Sequence, residues 1–275
     1  MSAYAVELLI KPRRGWQPID LKELWAYREL LGFLIWRDIK VRYKQTVLGG
    51  LWAVLQPLIG TLVFGILFTT VAKIQTPGIP YPLFVYAGLV PWTFFAGALS
   101  LSSNSLIGSE QMIRKTYLPR VLIPMAAILG LVLDMLIGFA LMSFLLIYYR
   151  FPLTLAIFWL PVCILGAFLV AAGMGLILSA LNVHYRDVKY VVPFFVQMAF
   201  FLTPVIYPMR NVPKAFKLLL GLNPMAGMEE GFRHVLLGSP VSAGLLWTSG
   251  AVSIGIFILG LFVFRRMERT FADLI

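Results

Sequence analysis

Apolar runs separated by short charged stretches organise this chain. Runs long enough to cross about 30 Å of hydrocarbon occur at roughly 47–72, 83–107, 121–149, 155–181, 190–207 and 243–264. They predict an all-α integral membrane protein with six transmembrane helices. Ahead of the first run lies LKELWAYRELLGFLIWRDIKVRYK, residues 21–44. At about 100° per residue, Leu21, Leu24, Trp25, Leu31, Ile35, Trp36, Ile39 and Tyr43 share one arc, and Lys22, Glu29, Arg37, Lys40 and Lys44 share the other. The pattern predicts an amphipathic helix in the membrane interface, with Arg28 and Arg42 interrupting the apolar arc where they snorkel. Gly49 and Gly50 then let the backbone turn into the first span. Between the fifth and sixth runs, two short stretches with helical apolar spacing, near 213–221 and 225–237, flank the turn signal Asn223-Pro224. They predict a re-entrant or interfacial helix pair on the outer face, packed in protein or headgroups. The expected organisation is a cytoplasmic N-terminal segment with the interface helix (1–46), a six-span domain (47–264) and a cytoplasmic tail (265–275).

Composition agrees with a membrane protein, since 60% of residues are hydrophobic and 13% charged. The formal charge of +11 would suggest nucleic acid in a soluble protein. Here the basic residues sit between apolar runs, which points to topology and to no nucleic-acid partner. With residue 1 inside, the inner segments hold 17 of the 23 Lys and Arg, as the positive-inside rule requires, and both termini are cytoplasmic. The first 46 residues carry nine Lys or Arg and no continuous apolar core near the start, so no signal peptide is expected. Residues 37–44 hold four basic residues and one acid directly against the first span. Such a face anchors to anionic headgroups at about 1 kcal/mol per basic residue, or serves as a platform for a cytoplasmic partner; the residues alone leave both open. The single cysteine, Cys163, excludes an intramolecular disulfide and a cysteine metal cluster, and fits a small buried hydrophobe.

The search for reactive chemistry returns little. No phosphate-binding G-x-x-x-x-G-K-[ST] loop and no H-E-x-x-H, C-x-x-C or G-x-S-x-G pattern occurs, so the chain is not expected to hydrolyse ATP, and no catalytic or metal-binding residue is assigned. His184 and His234 fall on opposite membrane sides. Asp134 is the one carboxylate well inside a span; it either bonds neighbouring helices or lines a polar path. Glu229 and Glu230 point about 100° apart on a helix, which suits a solvated face or a salt bridge to Arg233 better than a glycosidase pair. Trp52, Phe84, Tyr86, Trp92, Phe94, Phe95, Phe194, Phe195, Phe200, Phe201 and Tyr207 stand out among the aromatics. Most belong to interface belts and lipid-facing surface, yet sugar C–H faces also stack on such rings. Span two, which combines aromatics with Ser100, Ser102, Ser103, Asn104 and Ser105, is the first candidate for a channel lining.

Four stretches form a set: RDIKVRYKQTVLGGLWAVLQP (37–57), IRKTYLPRVLIP (113–124), LTPVIYP (202–208) and LNPMAGMEEGFRHVLLG (222–238). In this order they resemble the permease subunits of type-2 ABC exporters for surface polysaccharides, a group that includes O-antigen, capsule and teichoic-acid exporters. The resemblance implies a homodimer on two separately encoded ATP-binding subunits, which would hold ATP and Mg, with no cofactor in this chain. It implies that the N-terminal helix, with Arg37, Asp38, Lys40 and Arg42, and the loop between spans two and three, with Glu110, Arg114 and Lys115, contact those subunits. Motion would then lever span one through Leu48-Gly49. The implied cargo is a glycan on a polyprenyl pyrophosphate lipid, O-antigen above all, crossing the cytoplasmic (inner) membrane, with basic residues near the inner mouth attracting the pyrophosphate. Spans one and five of each protomer would flank the channel, and Leu48, Gly49, Trp52, Tyr86, Trp92, Phe95, Ser103 and Asn104 are the lining candidates. Two alternatives remain: another cargo on the same architecture (teichoic acid, a drug or a simple lipid), and a membrane glycosyltransferase, for which the inner loops offer only Glu110 and Asp187 as acids.

Overall fold

The computed structural model describes residues 25–44, 49–71, 76, 78–116, 118–152, 154–213, 216 and 220–271, and all regular structure among them is helical. We number the α-helices α1 (Arg28–Tyr43), α2 (Trp52–Ile66), α3 (Tyr81–Gly108), α4 (Glu110–Lys115), α5 (Leu122–Tyr148), α6 (Leu160–His184), α7 (Val188–Leu202), α8 (Pro224–Leu237) and α9 (Ala243–Met267). Among the described residues, five helical stretches are long and apolar enough to cross a membrane: Gly49–Thr70, Tyr81–Gly108, Leu122–Tyr148, Leu155–His184 and Ala243–Thr270. They coincide with five of the six expected runs.

The fifth expected run, 190–207, is different. Its helix α7 has 15 residues, about 22 Å at 1.5 Å per residue, and stops at Thr203, which is extended with ψ 139°. Pro204 dictates the stop, because its ring clashes with a helical residue before it. The apolar count runs on through Val205 and Ile206, but the helix does not.

Helix α3 is the central post, the most deeply buried of the five, with α5 and α6 against it and α9 outside α6. Small residues set these contacts, as is usual where apolar burial in lipid supplies little drive between helices. A Cβ on Gly173 of α6 would stand 2.5 Å from the Ile256 carbonyl oxygen of α9, and one on Gly260 would meet the Gly173 carbonyl. The two backbones therefore touch. At one end of the bundle, His184 Nε2 lies 2.8 Å from Thr270 Oγ1 and Arg120 donates to the Glu268 backbone oxygen and carboxylate. This is the end that carries α1 and α4, and we call it the inner end.

Helix α1 rides along α5 rather than meeting it at one point. Leu34 clusters with Leu122 and Ala126, Ile39 and Arg42 pack at Gly130, and Arg42 and Tyr43 bond Asp134. The partners on α5 recur every four residues, one stripe of a helix. The expected apolar arc is shifted accordingly: Leu34 is buried, while Trp25 and Trp36 are exposed. Leu21, Lys22 and Leu24 lie outside the described residues.

Helix α8, expected at the outer surface, is enclosed between α3, α6 and α9. Its glycines allow the approach, since a Cβ on Gly227 would collide with Ser249 and one on Gly166 of α6 with Met228. Cys163 lines the same contact, its sulfur 3.5 Å from where a Gly231 Cβ would stand. Most of the other expected stretch of that pair, near 213–221, lies outside the described residues.

Gly173→Ala is expected to destabilise the bundle by about 1–3 kcal/mol, the cost of overpacking against a backbone that cannot yield, and to lower the melting midpoint of the detergent-purified protein. Gly255→Ala on α9, with nothing within 4 Å of its Cβ position, is expected to leave that midpoint unchanged.

Candidate functional site

Two of the expected coupling elements meet at the inner end. Arg37 forms a two-point contact with Asp38, at 2.9 and 2.7 Å, and its Nη1 reaches the Met112 sulfur at 3.8 Å. Met112 belongs to α4 and also packs on the Leu34 cluster. Helix α4 carries Glu110 and Arg114 as an i,i+4 pair at 2.9 Å, with Lys115 and Lys40 exposed. Arg37, Asp38, Lys40, Glu110, Arg114 and Lys115 thus belong to two neighbouring charged elements on one end of the bundle. Arg42, expected among them, is turned away from that surface.

Arg42 points into the bundle. Its Nη1 lies 2.6 Å from Asp134 Oδ2, and the Tyr43 hydroxyl donates to Asp134 Oδ1. Asp134 stands twelve residues beyond Leu122 on α5, about 18 Å along the helix. A lone carboxylate at such depth costs about 2.5–3.5 kcal/mol even on lenient insertion scales; a guanidinium and a phenol at both its oxygens offset that cost. The pair borders a cavity of about 350 Å³ between the foot of the first span (Gly49, Trp52, Gln56) and Thr93 and Gly97 of α3. Gly49 has φ +50°, the left-handed turn that glycine makes without strain. Leu48 lies outside the described residues.

The opposite, outer end is organised by a second polar cluster. Arg233 of α8 is fully buried, at 0% exposure. It donates to the backbone oxygens of Pro204 (2.5 Å) and Val205, to Phe84 O at 3.4 Å and to Glu230 Oε1 at 3.1 Å. Its guanidinium carbon stands 3.8 Å from the Phe84 ring centroid. Two of these carbonyls, Pro204 and Val205, belong to the non-helical stretch that follows α7, and a buried carbonyl without a donor is costly. Asn223 works beside it: its Oδ1 accepts from the Met225 N–H as the N-cap of α8, and its Nδ2 donates to Thr203 Oγ1 at 2.9 Å. Tyr81 adds a bond from its hydroxyl to Ile206 O at 2.9 Å. Gly88 makes the room, since a Cβ there would lie 2.7 Å from both Arg233 Nη2 and Val205 O.

Glu229 was expected on a solvated face or in a salt bridge; the salt bridge to Arg233 is made by Glu230, and Glu229 is fully buried. Neither of its oxygens has a hydrogen-bond partner among the described residues. Burial pushes its pKa well above the usual carboxylate range; Arg233 opposes that rise and Glu230 adds to it. Only the sequence MEEGFRHVLL, with charges inside an otherwise apolar helical period, hinted at this cluster.

The lining candidates divide. Trp52 is half exposed and borders the inner cavity with Gly49. Tyr86, Trp92, Phe95 and Ser103 are buried within the chain: Tyr86 donates to Gly138 O at 3.1 Å, and Trp92 packs on Phe95 and Phe200. The hydroxyls of Ser102, Ser103 and Ser105 turn back to carbonyls of their own helix, and Asn182 of α6 bonds Ser103 O at 2.8 Å and Asn104 Oδ1 at 3.3 Å. Ser102 and Ser103 thus belong to a seam between α3 and α6, while Asn104 is exposed. Large exposed apolar side chains lie on the first span (Ile59, Leu62, Ile66) and on α7, where Tyr190, Phe194 and Phe201 are each more than half exposed, as they also do on α5, α6 and α9.

A protein-family model described as "ABC-2 type transporter" matches residues 29–237. The O-antigen export system permease protein RfbA of Klebsiella pneumoniae is 29% identical over 251 residues, 90% of this chain and 95% of that protein. RfbA of Myxococcus xanthus is 29% identical over 257 residues, 92% and 98% of the two chains. The polysialic acid transport protein KpsM of Escherichia coli is 24% identical over 246 residues, 86% and 92%.

Arg233→Met is expected to destabilise the protein by about 3–5 kcal/mol, as breaking a buried ion pair does, and Arg233→Lys to restore little, because one ammonium cannot reproduce the planar fork. Glu229 gives a pH dependence of fixed sign. A raised folded pKa means that the unfolded chain ionises first, so the stability its neutral form supports is full below the ordinary carboxylate pKa and falls as pH rises toward the folded value. Glu229→Gln is expected to flatten that fall, read as melting midpoints from pH 5 to pH 8.

Proposed function

The chain belongs to the ABC-2 type transporter family, and from that premise we propose that it is the channel-forming permease subunit of an ATP-driven exporter of polyprenyl-pyrophosphate-linked surface polysaccharide, O-antigen above all. The observation that carries the cargo class is likeness over nearly the whole length to permeases named for O-antigen export. The missing phosphate loop fits a division of labour in which separate ATP-binding subunits supply hydrolysis and hold ATP and Mg.

In this reading two copies pair, each docked on one ATP-binding subunit through α1 and α4, with Arg37, Asp38, Lys40, Glu110, Arg114 and Lys115 at the contact. The adjacent charged elements at the inner end support that docking face. Both termini are cytoplasmic, and α7 with the turn after it makes the sixth crossing. The exposed faces of the first span and α7, linked by Phe64 and Phe200 at 5.6 Å, flank the channel, and Trp52, Tyr190, Phe194 and Phe201 offer rings on which sugars stack without being gripped. The likeness to KpsM favours a second cargo, a capsular glycan, on the same machinery.

Deleting the gene and labelling glycan precursors tests the cargo: full-length polyprenyl-linked polymer is expected to accumulate on the cytoplasmic face, and normal surface polymer would refute the proposal. In the complemented strain, joint Arg114→Glu and Lys115→Glu substitution is expected to abolish export while the protein remains at normal level in the membrane. Phe194→Ala with Trp52→Ala is expected to slow long-glycan export without lowering the melting midpoint, whereas Trp92→Ala lowers the midpoint because it opens a core cavity.

A further inference from the structure

We propose that Arg42, Tyr43 and Asp134 form a pin that transmits motion of α1 directly to α5, so that the third span, and not only the first, is driven by the ATP-binding partner. The inference rests on the reading that α1 receives that partner's motion. Arg42 and Asp134 act here as positioning residues.

Three observations carry it. Helix α1 is seated lengthwise on the α5 stripe Leu122, Ala126, Gly130 and Asp134, with Leu34 at one end of the contact and the ion pair at the other. A lever held at two separated points transmits rotation as well as translation. Secondly, Asp134 receives both of its side-chain bonds from the last turn of α1, one to each oxygen, and the guanidinium fits over Gly130, whose Cβ position is 3.6 Å from Arg42 Nη2. Thirdly, the first span meets α5 less extensively than α1 does. The cavity of about 350 Å³ lies between its foot and α3 and α5, Arg42 and Asp134 are the charged residues among the described ones that border it, and Gly49 sits at its rim in the left-handed conformation. Helix α1 is thus held to α5 through side chains, beside an open space at the foot of the first span. An ion pair this far along a span is also costly to separate, since either group left alone would be an uncompensated charge there.

The test uses the complete exporter, permease with its ATP-binding partner, reconstituted in vesicles. Joint substitution Arg42→Met and Asp134→Leu replaces the pair by apolar groups of similar volume, which buried ion pairs usually tolerate, and Arg42→Lys keeps the charge. Two readouts are taken: ATP hydrolysed per glycan exported, and the ATP-dependent change in distance between spin labels at Ile147→Cys and Trp247→Cys, exposed positions on α5 and α9, with Cys163→Ser. The double variant is expected to insert and hydrolyse ATP normally, to export about tenfold less glycan per ATP, and to lose the distance change, with Arg42→Lys restoring part of both. Unchanged export per ATP and an unchanged distance response in a stably inserted double variant would overturn the pin, as would parallel losses of protein level, hydrolysis and export, which mark a merely structural role. If the wild-type complex shows the pin-dependent distance response but moves no glycan, the cargo assignment fails and the pin stands.

Discussion

One buried guanidinium holds the outer half of this molecule together. A helix that ends inside a membrane protein leaves carbonyls that water cannot reach, and every alternative to bonding them costs more than bonding them. Here Thr203, Tyr207 and Asn223 take carbonyls of the last turn of α7, and Arg233 takes Pro204 and Val205 of the stretch that follows, with donors enough for Phe84 and Glu230 as well. That requirement fixes much else. Helix α8 must enter the bundle to deliver the side chain, Gly88 must lack a Cβ to admit it, and Asn223 must start α8 beside Thr203. Two stretches of sequence separated by more than a dozen residues, LTPVIYP and LNPMAGMEEGFRHVLLG, are in physical terms one unit.

The inner half solves a related problem differently. A single acid deep in α5 is matched by a basic residue from another element rather than by backbone groups, so the charge is neutralised by something able to move. Outer and inner clusters therefore differ in kind. The first welds three segments of backbone, while the second joins two helices through side chains alone.

Hydropathy made five spans legible because length and apolarity are the physics of crossing a bilayer. It overran the end of α7 because an apolar count does not register that Thr203 precedes a proline. The helical wheel of α1 could not place its packed face: Leu34 and Trp36 are both apolar, and which one is buried depends on the α5 stripe, far away in sequence. Arg42 turns inward for the same reason, its partner being 92 residues on. The serines of span two suggested a wet lining, but a hydroxyl bonded to its own helix is also the small residue that a close helix contact needs. Those choices are set by tertiary partners, which no local pattern encodes.

Because Asn223 bonds both Leu202 O and Thr203 Oγ1, the chain that leaves α7 returns to where it departed before entering α8. The two ends of the intervening stretch therefore meet at one neck, and the closure free energy of a stretch between fixed ends changes only with the logarithm of its length. The junction of α7 and α8 is thus set by what Asn223 and Arg233 bond, and not by the length of chain between the two helices.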